Sequence, residues 1–337
     1  MALRFSKANS GKRIPLTAEE QIMARALLDA IRRTTNSISV QELSRIISQL
    51  DADTLARLLR QISITGDAAA INRALMQSVS FGGVEAIQQI SRIAPALALP
   101  AFMPSKVQVL NPESLANMDF TKVPRWASNA PEKIEFNLSF NKTNPNSLAF
   151  AQRRAAELVK SIDEATRMSI RNIITDSFAN QVSPQITAMR IKNIIGLHPR
   201  WAEAVVEFEK RETARLIKAG VIESKAIKTA QSSAAGYADR LKQSRATTIA
   251  RTEIQIAQNE GRYEGWKQAD EAGYVDPAST KTWITAPDER TCDICAPLNG
   301  ETVPWNGLFS IGYEIPGRVH PNCRCAMQIN APEIASL

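Results

Sequence analysis

Apolar residues recur at helical spacing from Thr17 to about Pro95. Thr17-Ala-Glu19-Glu20 reads as a cap with carboxylates in the first turn, followed by Ile22, Ala26, Leu27, Ala30 and Ile31 on one face. Leu43, Ile46, Ile47 and Leu50 mark a second helix, and Leu55, Leu58, Leu59 and Ile62 mark another after Asp51 and Asp53. Gly66 and the Gly82-Gly83 pair punctuate the pattern and predict breaks between short helices. The most apolar stretch, Ile93 to Phe102, holds Pro95 and Pro100, so it predicts neither a membrane span nor a continuous helix. The expectation for residues 1–99 is a small helical bundle.

Pro100, Pro104, Pro112, Pro124, Pro131 and Pro145 then fall close together, interleaved with the β-prone pieces Lys106–Leu110 and Ile134–Phe140. Residues 100–147 read as a Pro-rich linker or as docked strands, and helix is excluded over most of the stretch. From Leu148 to about Ala272 the helical pattern returns. Ser183-Pro184 closes one helix near Asn180 and opens another to about Ile195, Gly196-Leu197-His198-Pro199 is a turn, Arg200–Ala219 is a further helix, and Gly220 stops it before Ser224–Ala272. After Gly273 short β-like pieces such as Lys281–Thr285 replace helices, so residues 273–330 form a compact β-rich tip of a domain spanning 148–330, with 331–337 as a tail. The predicted class is mainly α with a small β-rich C-terminal subdomain.

Composition changes this picture little. The 337 residues are 44% hydrophobic and 22% charged, ordinary for globular domains and enough for roughly two of them. The N-terminus MALRFSKANSGKR has no apolar segment of a signal peptide, which predicts a protein made and kept in a cytoplasm without a membrane anchor. Net charge is +7, carried by the first two thirds: 17 basic against 12 acidic residues in 1–150, 18 against 12 in 151–260, and 6 against 10 in 261–337. Such a surplus fits nucleic acid, an acidic protein partner, or a solvated helix face. P-loop, dinucleotide and HExxH motifs do not occur.

All four cysteines lie between positions 292 and 325, as Cys292-Asp-Ile-Cys295 and His320-Pro-Asn-Cys323-Arg-Cys325, with one of only two histidines among them. A Cys-x-x-Cys turn presents two sulfurs to one point, and a second Cys/His group can complete a tetrahedron. Zinc suits these ligands: Cys292, Cys295, His320 and Cys323 form a Cys₃His set, with Cys325 as a substitute for His320 or Cys323. Two disulfides, or simply buried thiols, are the alternatives. A full ligand set leaves no open position and marks a structural staple for a tip with little core. A Cys/His nucleophile or a redox pair lacks its usual context here.

Arg251, Glu253 and Asn259 fall within one helix, and the natural reading is a buried polar network joining that helix to the cysteine tip rather than acid–base chemistry. His198 reads as a turn residue, and Trp201, Trp266, Trp283 and Trp305 as core or cover for the tip.

The order Arg251-Thr-Glu253, Asn259, Gly261-Arg262, Trp266, Trp283, Asp288-Glu-Arg290-Thr-Cys292-Asp-Ile-Cys295, Leu298-Asn-Gly300 and His320-Pro-Asn-Cys323-Arg-Cys325 resembles the Mu F-like head morphogenesis (minor head protein) family of tailed bacteriophages, over roughly residues 150–330. The resemblance implies a minor procapsid and virion component, in the head interior or at the portal vertex, and in the host cytoplasm during assembly. Its partners would be the portal protein and inner capsid or scaffold, with no membrane. The residues themselves offer no catalytic set, and Cys292, Cys295, His320, Cys323 and Cys325 match the family's motif. Arg153, Arg154, Arg167, Arg171, Arg190 and Lys192 are then candidate contacts to the phosphates of packaged double-stranded DNA. A head-carried enzyme, such as a metal-dependent nuclease or toxin-like effector, would need an open metal position or a poised acid–base pair. A DNA-binding accessory factor for packaging or ejection is a further alternative.

Overall fold

A computed structural model describes residues 15–49, 68–101 (backbone only from 94), 138–286, 288 and 291–332. Its elements are α1 (Ala18–Asn36), α2 (Val40–Ser48), α3 (Ala68–Ala101), α4 (Pro145–Ala179), α5 (Pro184–Ile194), α6 (Pro199–Lys218) and α7 (Glu223–Glu271), then β1 (Thr280–Ile284), β2 (Thr302–Pro304) and β3 (Ala326–Asn330). The protein is mainly helical, with one small antiparallel sheet ordered β2-β1-β3 near its C-terminal end. Among the described residues no helix is long and apolar enough to cross a membrane. The chain divides into two compact units, residues 1–74 with 154–251 and residues 75–153 with 252–337.

In the first unit the helix starts follow local chemistry. Thr17 and Glu20 form a reciprocal capping box: the Thr17 hydroxyl accepts from the Glu20 N–H, and the Glu20 carboxylate accepts from the Thr17 N–H. Ser183 accepts from the Ile186 N–H ahead of Pro184 at the first helical position. His198 caps α6, its ring nitrogen accepting from the Arg200 N–H. Gly196, at φ +81°, turns the chain where a Cβ would lie 2.7 Å from Ile31. The core gathers Leu43 and Ile47 of α2, Ile170 and Ile173 of α4, Ile191 and Ile194 of α5, Val205 of α6 and Ala234 and Ala238 of α7. Leu50, Leu55–Ile62 and Gly66 lie outside the described residues.

The second unit corrects several readings. Gly82 and Gly83 do not break a helix, because α3 runs through them to Ala101. They let backbones approach instead: a Cβ on Gly82 would lie 2.0 Å from the Gln258 carbonyl oxygen, and one on Gly83 would meet the Phe140 ring at 2.4 Å. Gly261 reciprocates, 2.0 Å from the Val79 carbonyl oxygen. Pro95 and Pro100 do not end α3 either, which runs to Ala101 despite the backbone donor that each proline lacks. Pro145 is the first residue of α4 rather than part of a helix-free stretch, the Asn144 side chain accepting from the Asn146 N–H just ahead. Of the proposed strands, Lys106–Leu110 and residues 134–137 lie outside the described residues, and residues 138–140 are not in a strand.

In the sheet, β1 pairs Trp283 with Met327 and Lys281 with Ile329 of β3, so Lys281 and Trp283 share the buried face and both are fully buried. Trp266 and Trp305 are buried as well, while Trp201 is half-buried against the core of the first unit.

Candidate metal centre

The centre forms where two turns beside the sheet meet. Residues 292–295 make the first, in which the Cys295 backbone N–H points at the Cys292 sulfur (3.4 Å) and also bonds the Cys292 carbonyl. The second turns at Asn322, whose φ of +60° is a left-handed conformation that asparagine tolerates. It carries His320, Cys323 and Cys325 on to β3.

His320 Nε2 lies 3.1 Å from both the Cys292 and Cys295 sulfurs, and Cys295 Sγ lies 4.0 Å from Cys323 Sγ. Cys292, Cys295 and His320 form one tight group of potential ligands; Cys295, Cys323 and Cys325 form another that shares Cys295. Tetrahedral zinc spaces sulfur pairs by about 3.8 Å and sulfur–nitrogen pairs by about 3.6 Å, given its bond lengths. The 4.0 Å sulfur spacing fits that size, and the 3.1 Å contacts need to open by only a few tenths of an ångström. The same 4.0 Å is about twice a disulfide bond, and all four cysteines are free thiols. The His320 Nδ1–H donates to the Pro321 carbonyl at 2.8 Å, which leaves Nε2 as the nitrogen facing the sulfurs. The cluster could therefore hold a metal ion.

The electrostatics agree. A hydrogen bond with Cys325, helped by His320, holds the Cys323 thiol down to about 4, and its partner His320 is raised to about 9 by that thiolate. Burial pushes Cys295 up, and the hydrogen bond to Cys323 together with burial pushes Cys325 up. Burial works against the Cys292 thiolate, but the backbone N–H groups of Cys295 and Ile294, with the Cys295 side chain and His320, together lower that thiol. Several buried sulfurs thus compete for the one positive charge of His320, and a divalent cation is the species that would let them ionise together.

One face of α7 grips this arm. Asn259 Nδ2 donates to the carbonyls of Cys325 (2.9 Å) and Pro316 (3.2 Å), and Gln255 Nε2 donates to the same Cys325 carbonyl at 2.9 Å. One turn back, the Thr252 hydroxyl accepts from the Asn322 N–H at 2.9 Å. Asn259 Oδ1 receives Arg262, whose other nitrogen reaches Glu85 of α3 at 2.7 Å. Gly317, at φ +101°, passes where a Cβ would lie 3.1 Å from Ile256. Arg324 makes a two-pronged bond to Asp288, at 2.7 and 2.6 Å. Trp283 and Phe309 meet edge to face at 5.0 Å and share one buried cluster with Cys295, Cys323 and Cys325.

Of the residues expected to join helix and tip, Asn259 does so. Glu253 is buried on α7, while Arg251 lies 3.9 Å from Glu20 in the first unit, where it makes an ion pair. Thr252 and Gln255 also reach the tip, and Arg262 braces Asn259; Gln255 and Arg262 stand four and three residues from Asn259, and Thr252 three from Gln255, a spacing that puts them on one helical face.

The candidate phosphate contacts divide. Arg153 and Arg171 are exposed, Lys192 and Arg167 are half-buried, and Arg154 is half-buried beside Glu157 at 3.4 Å. Arg190 is corrected: it is buried in the first unit, its Nε donating to Glu209 at 3.1 Å. Burial raises the Glu209 carboxyl against the opposing pull of Arg190, which leaves Arg190 engaged internally rather than facing a phosphate.

Residues 209–328 match the family model described as phage Mu protein F like protein, which bears out the Mu F-like resemblance over that stretch. The match is narrower than residues 150–330 and holds all of α7, the sheet except the last two residues of β3, and the whole Cys/His cluster. Comparison with curated proteins and with solved structures found no match.

Proposed function

We propose that this protein is a minor phage head protein that acts in head assembly near the portal vertex by binding other head proteins, without turning over a substrate. The observation that carries the reading is the Mu F-like match, which includes both the cysteine arm and the α7 face that holds it. The role proposed for the cluster is structural. Zinc is held by Cys292, Cys295, His320 and Cys323, with Cys325 as the fifth donor, so a tetrahedron fills from protein groups alone and keeps no position for substrate. The metal then staples the arm that carries β3 onto α7.

Packaged DNA is a secondary contact in this reading. Among the described residues Arg153, Arg171 and Lys192 have no carboxylate partner, which leaves their charges available to phosphates, with Arg154 and Arg167 nearby in sequence. Heads purified from a phage carrying a tagged copy of the chain test the proposal. The chain should co-purify with heads at a fixed low copy number. Its absence from heads, or catalytic turnover that survives Cys292→Ser, would overturn it.

A further inference from the structure

The hairpin joining α6 to α7 ends in a shape that its own folding does not need. Along α6 the buried positions stop at Glu209, and none of the residues from 210 to 218 is buried. On α7 the alanines at 226, 230, 234 and 238 continue the buried stripe, so the hairpin closes by small residues and then projects beyond its core. Its apex is ordered by hydrogen bonds. The Val221 N–H reaches the Leu216 carbonyl at 3.0 Å and the Gly220 N–H reaches Ile217 at 2.9 Å, with Gly220 at φ +84°. This is the paired-bond helix stop that brings the residue after glycine back onto the last turn.

That apex points isoleucines at water. Ile217 is 44% exposed and Ile222, at 75%, is more exposed than any other large apolar side chain among the described residues. Ile222 also holds the capping position of α7, its carbonyl accepting from the Lys225 and Ala226 N–H groups, where Ser, Thr, Asp or Asn would stabilise the helix. A residue wrong both for its cap and for its exposure marks a place where local stability yields to another requirement. Around it stand Lys218, Lys225 and Lys228, all exposed and, among the described residues, without a carboxylate partner; with the exposed Glu223 beside Ile222 they leave the apex a net positive charge.

We propose that this hairpin apex is a docking finger: Ile222 and Ile217 enter an apolar socket on another head protein, and carboxylates at the rim of that socket meet Lys218, Lys225 and Lys228. The choice of occupant follows from charge. The lysines would repel the same apex on a second copy, and an isoleucine tip adds nothing to phosphate binding. The inference rests on the head-protein reading and names the surface through which it works.

The test uses the full chain, expressed in place of the native copy during growth of its own phage, with copies per purified head counted by mass spectrometry. Ile222→Ser places a good cap at the start of α7, so its thermal midpoint should equal or exceed that of the wild type. Its copy number in heads should nevertheless fall about tenfold or more, as for loss of an interface anchor. Lys218→Glu with Lys225→Glu should lower incorporation as well, without altering metal content. Equal incorporation of wild type and Ile222→Ser overturns the docking finger and leaves the head-protein reading standing, whereas absence of the wild type from heads overturns both. Self-association of the purified chain, or its retention on duplex DNA or anionic vesicles, overturns the proposal if Ile222→Ser abolishes it.

Discussion

The side-chain amide of Asn259 donates to the backbone carbonyl of Cys325 at 2.9 Å, which ties the C-terminal part of α7 to the last of the four cysteines. The same nitrogen holds the Pro316 carbonyl, and Asn259 Oδ1 receives Arg262. Asn259 is fully buried, so water cannot replace these bonds. Asn259→Ala should cost about 2–4 kcal/mol in urea unfolding, from buried polar groups left without partners. It should also weaken metal binding about tenfold in a chelator competition, by loosening the arm that carries Cys323 and Cys325.

Cys292→Ser with Cys295→Ser removes half of the sulfurs from the centre. The variant should lose metal and lose the near-ultraviolet circular dichroism of the Trp283–Phe309 pair together, while the far-ultraviolet helical signal largely persists. Chelation of the wild type should reproduce the same loss. Retention of the aromatic signal in the metal-free chain would show that the tip needs no staple.

Two glycines of α7 give opposite predictions. Gly261→Ala drives a methyl to 2.0 Å from the Val79 carbonyl oxygen, a backbone atom that can move only with α3. It should cost about 3 kcal/mol or more, or leave the chain insoluble. Gly236→Ala meets only the end of the Arg240 side chain, at 3.9 Å, and should stabilise by about 0.5–1 kcal/mol through helix propensity. Thermal melts of the two variants against the wild type check both signs.

Much of this architecture is legible in the residues themselves. The capping box at Thr17 and Glu20, the Ser183-Pro184 start and the approach of Cys292, Cys295, His320 and Cys323 are local patterns, and local chemistry decides them. Gly82 and Gly83 are not, because a glycine pair means a break or a close approach according to what faces it, and Gln258 and Phe140 lie far off in sequence. Arg190 likewise reads as a surface cation until Glu209 is placed beside it. Lys281 alternates in register with Trp283, yet its charge argues for solvent; only the fold supplies the Glu314 carbonyl at 2.9 Å and the flanking rings of Tyr263 and Phe309.

Lys281 carries a pH prediction. Burial pushes its ammonium down to about 8 from the ordinary 10.5, against the pull of Glu314 and with added repulsion from Lys267. Between those two values the unfolded chain keeps a proton that the folded chain has released, so stability rises with pH across this window and is lowest below about 8. The slope from this one group is at most about 1.4 kcal/mol per pH unit. Urea unfolding at pH 7.5 and 9.5 should therefore show a rise in the wild type that is missing in Lys281→Met, the difference between the two isolating this lysine from the other groups that titrate there.

The most direct test of the account is metal content. The purified full chain, analysed for elements and by native mass spectrometry without reductant, should carry one zinc per chain and four free thiols once denatured. A metal-free chain lighter by the hydrogens of one or two disulfides would contradict the metal staple and make the cluster an oxidised clasp.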